Sequence, residues 1–162
     1  MMSLDRIDHA ILHELQLDGR ISNVRLAERV NLSESACLRR VRLLQEAGVI
    51  GGYVMLINQA AVGLPGNVFV EIALNRQRRE DQDEFESALA QVPEVMECYL
   101  MSGDYDYLLR VVVADAADYE RIHHEQLTTL PGVARVKSSF ALRAVTKRTE
   151  LPIPAWYFPH AL

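Results

Sequence analysis

The chain has 162 residues, a formal net charge of −5 and two cysteines. Seven Lys plus Arg meet seven Asp plus Glu in residues 1–58, whereas ten meet fifteen in residues 59–162, a balance that argues against a nonspecific nucleic-acid coat. No basic-then-apolar leader opens the chain, no apolar run approaches the roughly 20 residues of a bilayer span, and Cys37 and Cys98 lack metal-ligand or CxxC spacing. A cytoplasmic protein of two small domains, with reduced cysteines in packing roles, is expected.

Residues 1–3 are expected to lack fixed structure. From Leu4, the positions Ile7, Ala10, Ile11, Leu12, Leu15 and Leu17 follow a helical period, with Asp5 placed to complement the helix dipole. His9 and His13 are four apart, but a structural metal site wants four ligands and no third is suitably spaced, so neither metal nor cofactor is expected.

Ser22 is the expected N-cap of a second helix carrying Leu26, Ala27 and Val30 on one face. Asn31 and Leu32 break that period, Ser33 caps the next helix, and Cys37, Val41 and Leu44 form a stripe that can pack on the previous one. Around the other side lie Ser35, Ala36 and Arg39, with Arg40 and Arg42 on the flanks. Short side chains permit close approach, and guanidiniums reach guanine or phosphate. Two capped helices across a tight turn therefore predict a helix-turn-helix whose second helix enters the major groove of double-stranded DNA, with Ser33, Ser35, Ala36, Arg39, Arg40 and Arg42 facing it. A solvated charged helix is the alternative for the arginines taken alone. Gly48 is expected to end this helix, and the strand-like run over residues 52–57 to form a wing, giving a winged helix-turn-helix domain over 1–58.

Residues 59–67 carry Gly63, Pro65 and Gly66 and are read as a linker. Over 68–150 a pattern occurs twice. Alternating strands at 68–74 and 107–113 each precede a helical stripe, Phe85, Ala88, Leu89 and Val92 in the first and Tyr119, Ile122, Leu127 and Leu130 in the second. Pro93 and Pro131 stop the two helices, and a strand follows each. Two βαβ units in series predict an α+β fold with a ferredoxin-like βαββαβ domain, both helices on one face of an antiparallel sheet. A second copy of the chain is the expected cover for the other face, forming an isologous homodimer.

Ser102-Gly103-Asp104-Tyr105-Asp106 has the composition of a hairpin turn, and its two carboxylates and free backbone groups could also receive an amino acid. The tail, residues 151–162, is apolar and rich in proline and aromatics; an arm docked on a neighbouring subunit and an unstructured tail are both open. An enzyme is disfavoured. His123 and His124 are adjacent, hence about 100° apart on a helix, and no nucleophile or metal spacing accompanies them. A ligand-independent protein that bends or wraps DNA remains an alternative.

The runs Leu15-Gln16-Leu17-Asp18-Gly19-Arg20-Ile21-Ser22-Asn23, Leu32-Ser33-Glu34-Ser35-Ala36-Cys37-Leu38-Arg39-Arg40-Val41 and Ser102-Gly103-Asp104-Tyr105-Asp106-Tyr107-Leu108-Leu109 resemble, in order and spacing, the leucine-responsive regulatory protein and AsnC family of transcription regulators. The likeness covers residues 4–150 and is strongest to the leucine-responsive branch. It implies a RAM/ACT-like effector domain whose sheets pair in a dimer. It further implies assembly of dimers into tetramers or octamers that wrap DNA, and an amino-acid effector such as leucine bound between dimers. Matching positions for the effector are Tyr99, Met101, Gly103, Asp104 and Asp106, with Gln126, Thr128, Ser138 and Ser139 facing it from a neighbouring dimer or the last strand. The segment after Glu150 departs from the family pattern.

Overall fold

The computed structural model describes residues 4–153. The expectations for residues 1–3 and for 154–162 of the tail lie outside it. The chain divides into two units, one of residues 57–145 and one formed by the N-terminal head together with the segment from residue 146.

The head holds three helices, α1 Arg6–Leu17, α2 Asn23–Arg29 and α3 Glu34–Glu46. Each starts where a side-chain oxygen accepts a free backbone N–H. Asp5 accepts from Ile7 and Asp8 at 2.8 and 2.9 Å, and Asp8 accepts in return from the Asp5 N–H at 3.1 Å, a reciprocal capping box. Ser22 and Ser33 cap α2 and α3 by accepting from Arg25 and Ala36. The turn between them runs through Asn31 at φ 54°, a left-handed position that asparagine tolerates. Ile11, Leu12, Leu26, Ala27, Val30, Cys37 and Leu44 form the head's core, so the expected apolar stripes pack on one another. Gly48, at φ 71°, follows the C-cap Ala47 and turns the chain off α3.

The expected wing strand is not formed. Residues 51–58 make no ladder, and Val54, Met55, Leu56 and Ile57 are exposed. A strand needs a neighbouring edge to take up its backbone groups, and the described residues of one chain offer none to this segment.

In the second unit the order is β1 Gly66–Leu74, α4 Arg79–Leu89, β2 Val95–Leu100, β3 Tyr107–Val113, α5 Ala116–Glu125 and β4 Val133–Phe140. The sheet order is β2-β3-β1-β4, and β1–β3, β1–β4 and β2–β3 are all antiparallel, the expected ferredoxin-like arrangement. Val68, Val70 and Ile72 of β1 and Leu109, Val111 and Val113 of β3 are sealed beneath Phe85 of α4 and Ile122 of α5. Both helices stop before the prolines, α4 at Leu89 and α5 at Glu125; Leu127 enters the core from a 3-10 turn instead. Only glycine fits at 66, because a Cβ there would lie 2.6 Å from Val113 Cγ2. Of the two free thiols, Cys37 is buried as expected, whereas Cys98 is exposed on the edge strand β2.

Candidate DNA interface and effector loop

α3 presents an outer surface of Ser35, Leu38, Arg39, Arg42, Leu43 and Glu46, which line a shallow groove of about 370 Å³. Spacings of three and four put them on one side of the helix, opposite buried Cys37 and Leu44. Ser35, Arg39 and Arg42 are exposed there as the sequence predicts. Ala36 is half-buried, and the Ser33 hydroxyl is occupied, capping Ala36 and lying 3.3 Å from Ser35 Oγ. Leu38, Leu43 and Glu46, which residue chemistry alone does not single out, lie beside Arg39 by the same helical spacing.

Arg40 requires a correction. Its Nη1 donates to Asp5 Oδ2 and Asp8 Oδ1, each at 2.7 Å, so it clamps α3 to α1 and does not face the groove. It lies three residues after Cys37 and four before Leu44, on the flank that packs inward. The hydrogen bonds it donates to Asp8 and then Asp5 raise the guanidinium further above its ordinary range. Burial pushes the Asp5 carboxyl up, but the Asp8 backbone N–H and Arg40 outweigh that and hold it below the usual carboxylate range. Two further braces complete the head: Arg29 of α2 pairs with Glu14 of α1, and Asn23 Nδ2 of α2 donates to the Glu34 carbonyl of α3 at 2.9 Å. With its inner flank tied in this way, α3 offers its outer face as a rigid surface.

In the sheet unit, the loop after β2 is held by Asp106, which is 7% exposed. Its Oδ2 accepts from the Leu74 N–H and its Oδ1 from Gln77 Nε2, both at 2.7 Å. Its own N–H donates to the Ile72 carbonyl, and its carbonyl accepts from the Met101 N–H. Asp106 therefore anchors the loop to the end of β1, and its carboxylate has no free oxygen aimed at solvent. Gln77 was invisible as a partner in the sequence, since 29 residues separate the two. Ser102, Gly103 and Asp104 are exposed, and the Asp104 carbonyl accepts from Arg135 Nη2 at 3.4 Å.

The remaining effector candidates do not converge within one chain. Tyr99 lies on β2 and Ser139 on β4, opposite edges of the sheet and three strand spacings apart, about 14 Å. Ser139 pairs with Phe69 on the open face, whereas Ser138 turns to the helix face, where its hydroxyl meets Tyr119 Oη. Tyr99 Oη donates to Glu97 at 3.0 Å, and Met101 continues that strand's alternation one step beyond β2. Gln126 Nε2 reaches Glu94 Oε1 at 3.5 Å, and Thr128 Oγ1 donates to the His124 carbonyl at 3.2 Å. The open face itself mixes Phe69 and Tyr99 with the pairs Arg110–Glu97 and Lys137–Glu71.

Residues 67–151 match the family model of the Lrp/AsnC ligand binding domain, and residues 4–50 match that of winged helix-turn-helix DNA-binding. The leucine-responsive regulatory proteins of Klebsiella pneumoniae and Escherichia coli K12 are each 45% identical over 150 residues, covering 93% of this chain and 92% of theirs. A transcriptional regulator of Neisseria meningitidis, solved as an L-Met complex, shares the fold with a TM-score of 0.88 at 35% identity, covering 93% of this chain and 97% of that one. An AsnC family regulator from Agrobacterium tumefaciens has the same TM-score at 38% identity, covering 92% and 97%. With a helix-turn-helix head, a ferredoxin-like ligand-binding domain and transcription regulators as its relatives, the chain belongs to the Lrp/AsnC family: it is a DNA-binding transcription regulator and not an enzyme.

Proposed function

We propose that the protein is a cytoplasmic regulator whose hold on operator DNA responds to an amino acid. The exposed face of α3 carries the DNA half of this reading. Ser35 and Arg39 contact base edges while Arg42 reaches base or phosphate, and Arg40 positions the helix from behind. A dimer joined through the open sheet faces supplies two such helices, suited to a roughly palindromic site. Assembly of dimers into tetramers or octamers would then bring together effector candidates that one chain keeps apart, Tyr99, Met101, Gly103 and Asp104 from one copy with Gln126, Thr128 and Ser139 from another. Residues 1–58 form the reading part, 68–150 the responding part and 59–67 the linker.

The L-Met complex of the Neisseria meningitidis regulator and the leucine-responsive relatives support an aliphatic amino acid as the effector class. The coupling requires only that the ligand bind one assembly better than another. A thermal-shift screen against the twenty amino acids, with sizing and gel shift of each hit, tests the reading. A hit must raise the melting temperature, by about 2.7 kcal/mol of stabilisation at a hundredfold excess over its dissociation constant, and change the oligomer or the shift. A second reading, a ligand-independent protein that wraps DNA, is favoured by the structural commitment of Asp106. Silence against every amino acid would select it.

A further inference from the structure

The chain does not end its structural work at β4. After Phe140 it runs through exposed residues 141–149 and returns to the head, where residues 150–153 lie against α1. Glu150 Oε1 stands 3.0 Å from His13 Nδ1. One residue on, the Gln16 amide grips the backbone of Leu151 in both directions: its Oε1 accepts from the Leu151 N–H at 2.7 Å, and its Nε2 donates to the Leu151 carbonyl at 3.5 Å. Leu151 as a residue is left 71% exposed, and the hydrogen bonds that hold it are to its backbone. Ile153 then packs on the head's core. Pro152 keeps this stretch extended, since a residue before proline avoids the helical region and proline itself donates no hydrogen bond. Three successive anchors of different chemistry, an imidazole–carboxylate contact, a backbone clasp and an apolar plug, make this a docked segment.

Its position on α1 gives it consequence. His13 and Gln16 lie toward the C-terminal end of the helix whose N-terminal end carries Asp5 and Asp8, the two carboxylates that hold Arg40 of α3. With the segment docked, the head is connected to the sheet unit by two lengths of chain, one leaving after α3 and one returning from β4. A head on one linker samples many orientations; a second attachment reduces that freedom before DNA is met.

We propose that residues 150–153 are a strap whose docking site is the His13 and Gln16 surface of α1, and that the docked strap restrains the DNA-reading head and favours simultaneous engagement of two half-sites. The strap's contacts with α1 are exposed at His13, Glu150 and Leu151, which makes the docking reversible. The functional arm rests on the two-headed reading above; the docking itself does not.

Hydrogen exchange on the full chain without DNA tests the docking. The Leu151 amide must exchange at least about tenfold slower than in a free peptide, and Gln16→Ala must return it to the free rate while α3 amides keep their protection. Gel shift on two duplexes tests the consequence. The His13→Ala/Gln16→Ala variant is expected to lose about three- to tenfold in affinity for a two-half-site duplex and to stay within about twofold on a single half-site. A chain ending at residue 149 must behave the same way. Free exchange of Leu151 in the unaltered protein overturns the strap, as does equal loss on both duplexes or no loss on either. If the unaltered protein shows no preference for two half-sites over one, the two-headed reading fails, and the exchange result still decides the docking.

Discussion

Arg40 and Asp8 meet at 2.7 Å across the α1–α3 contact, and the Asp8 side chain is only 5% exposed. A carboxylate so placed depends on its partner, because water cannot replace a lost guanidinium there. Arg40→Ala is therefore expected to lower the stability of the head by about 2 to 3 kcal/mol, somewhat below the cost of breaking a fully buried pair because Arg40 keeps some solvent access. Urea unfolding of the purified protein measures this; a change under half a kilocalorie would show that the clamp is not energetically used.

Arg39 is the contrasting neighbour. It is exposed on the outer face of α3, so Arg39→Ala should leave the urea midpoint nearly unchanged and weaken operator binding by about 1 to 3 kcal/mol, the range of a base-reading pair. A salt-controlled gel shift decides the matter, since unaltered affinity would remove Arg39 from the interface.

Two aspartates of one loop should also part company. Asp106→Ala leaves the buried Leu74 N–H and the Gln77 amide without their acceptor and is expected to cost about 2 to 4 kcal/mol, visible as a lower melting temperature. Asp104→Ala, at an exposed position, should be close to neutral for stability and should reduce the response to any amino-acid hit. An Asp104 variant that unfolds, or an Asp106 variant as stable as the parent, would reverse these roles.

The Asp5 carboxyl, held below its usual range, ties stability to pH with a definite sign. The folded state binds its proton less readily than the unfolded chain, so this contribution is fully present above the ordinary aspartate value of about 3.9. It is lost as pH falls through the lower folded value. Asp118, lowered by the Ala114 N–H and Arg121, acts with the same sign in the sheet unit. Urea midpoints between about pH 5 and 2 should fall less steeply in Asp5→Asn than in the parent; parallel profiles would count against the capping-box and Arg40 contacts as the cause.

At the start of β1, Gly66→Ala should destabilise the sheet unit by about 1 to 3 kcal/mol, as overpacking does. The added methyl would meet Val113 Cγ2 at 2.6 Å and the Val113 carbonyl at 3.1 Å. In a Val113→Ala background, itself less stable because a buried side chain is cut back, the Gly66→Ala step should cost less than in the parent but still something, because the backbone contact remains. Calorimetry of the single and double variants checks the sum.

What the sequence by itself determined was local. Ser22 and Ser33 announce α2 and α3 because a cap is read within three residues, and the alternation of Val68, Val70 and Ile72 sorts β1 into faces because a strand's period is two. The repeated βαβ order was enough for the sheet topology, since right-handed crossovers between parallel strands leave few ways to close it. Partnerships between distant residues were decided only by the tertiary structure. Arg39 and Arg40 are adjacent in sequence and alike in chemistry, yet the crossing of α1 over α3 sends one to solvent and the other to Asp5 and Asp8. Asp106 reads as a loop carboxylate until β1 brings Leu74 and Gln77 against it, and Ser138 and Ser139 read as a pair until the pleat turns them to opposite faces. The return of residues 150–153 to α1 spans 135 positions between Gln16 and Leu151. No local period encodes a contact of that kind, because it exists only once two separately folded segments have been brought together.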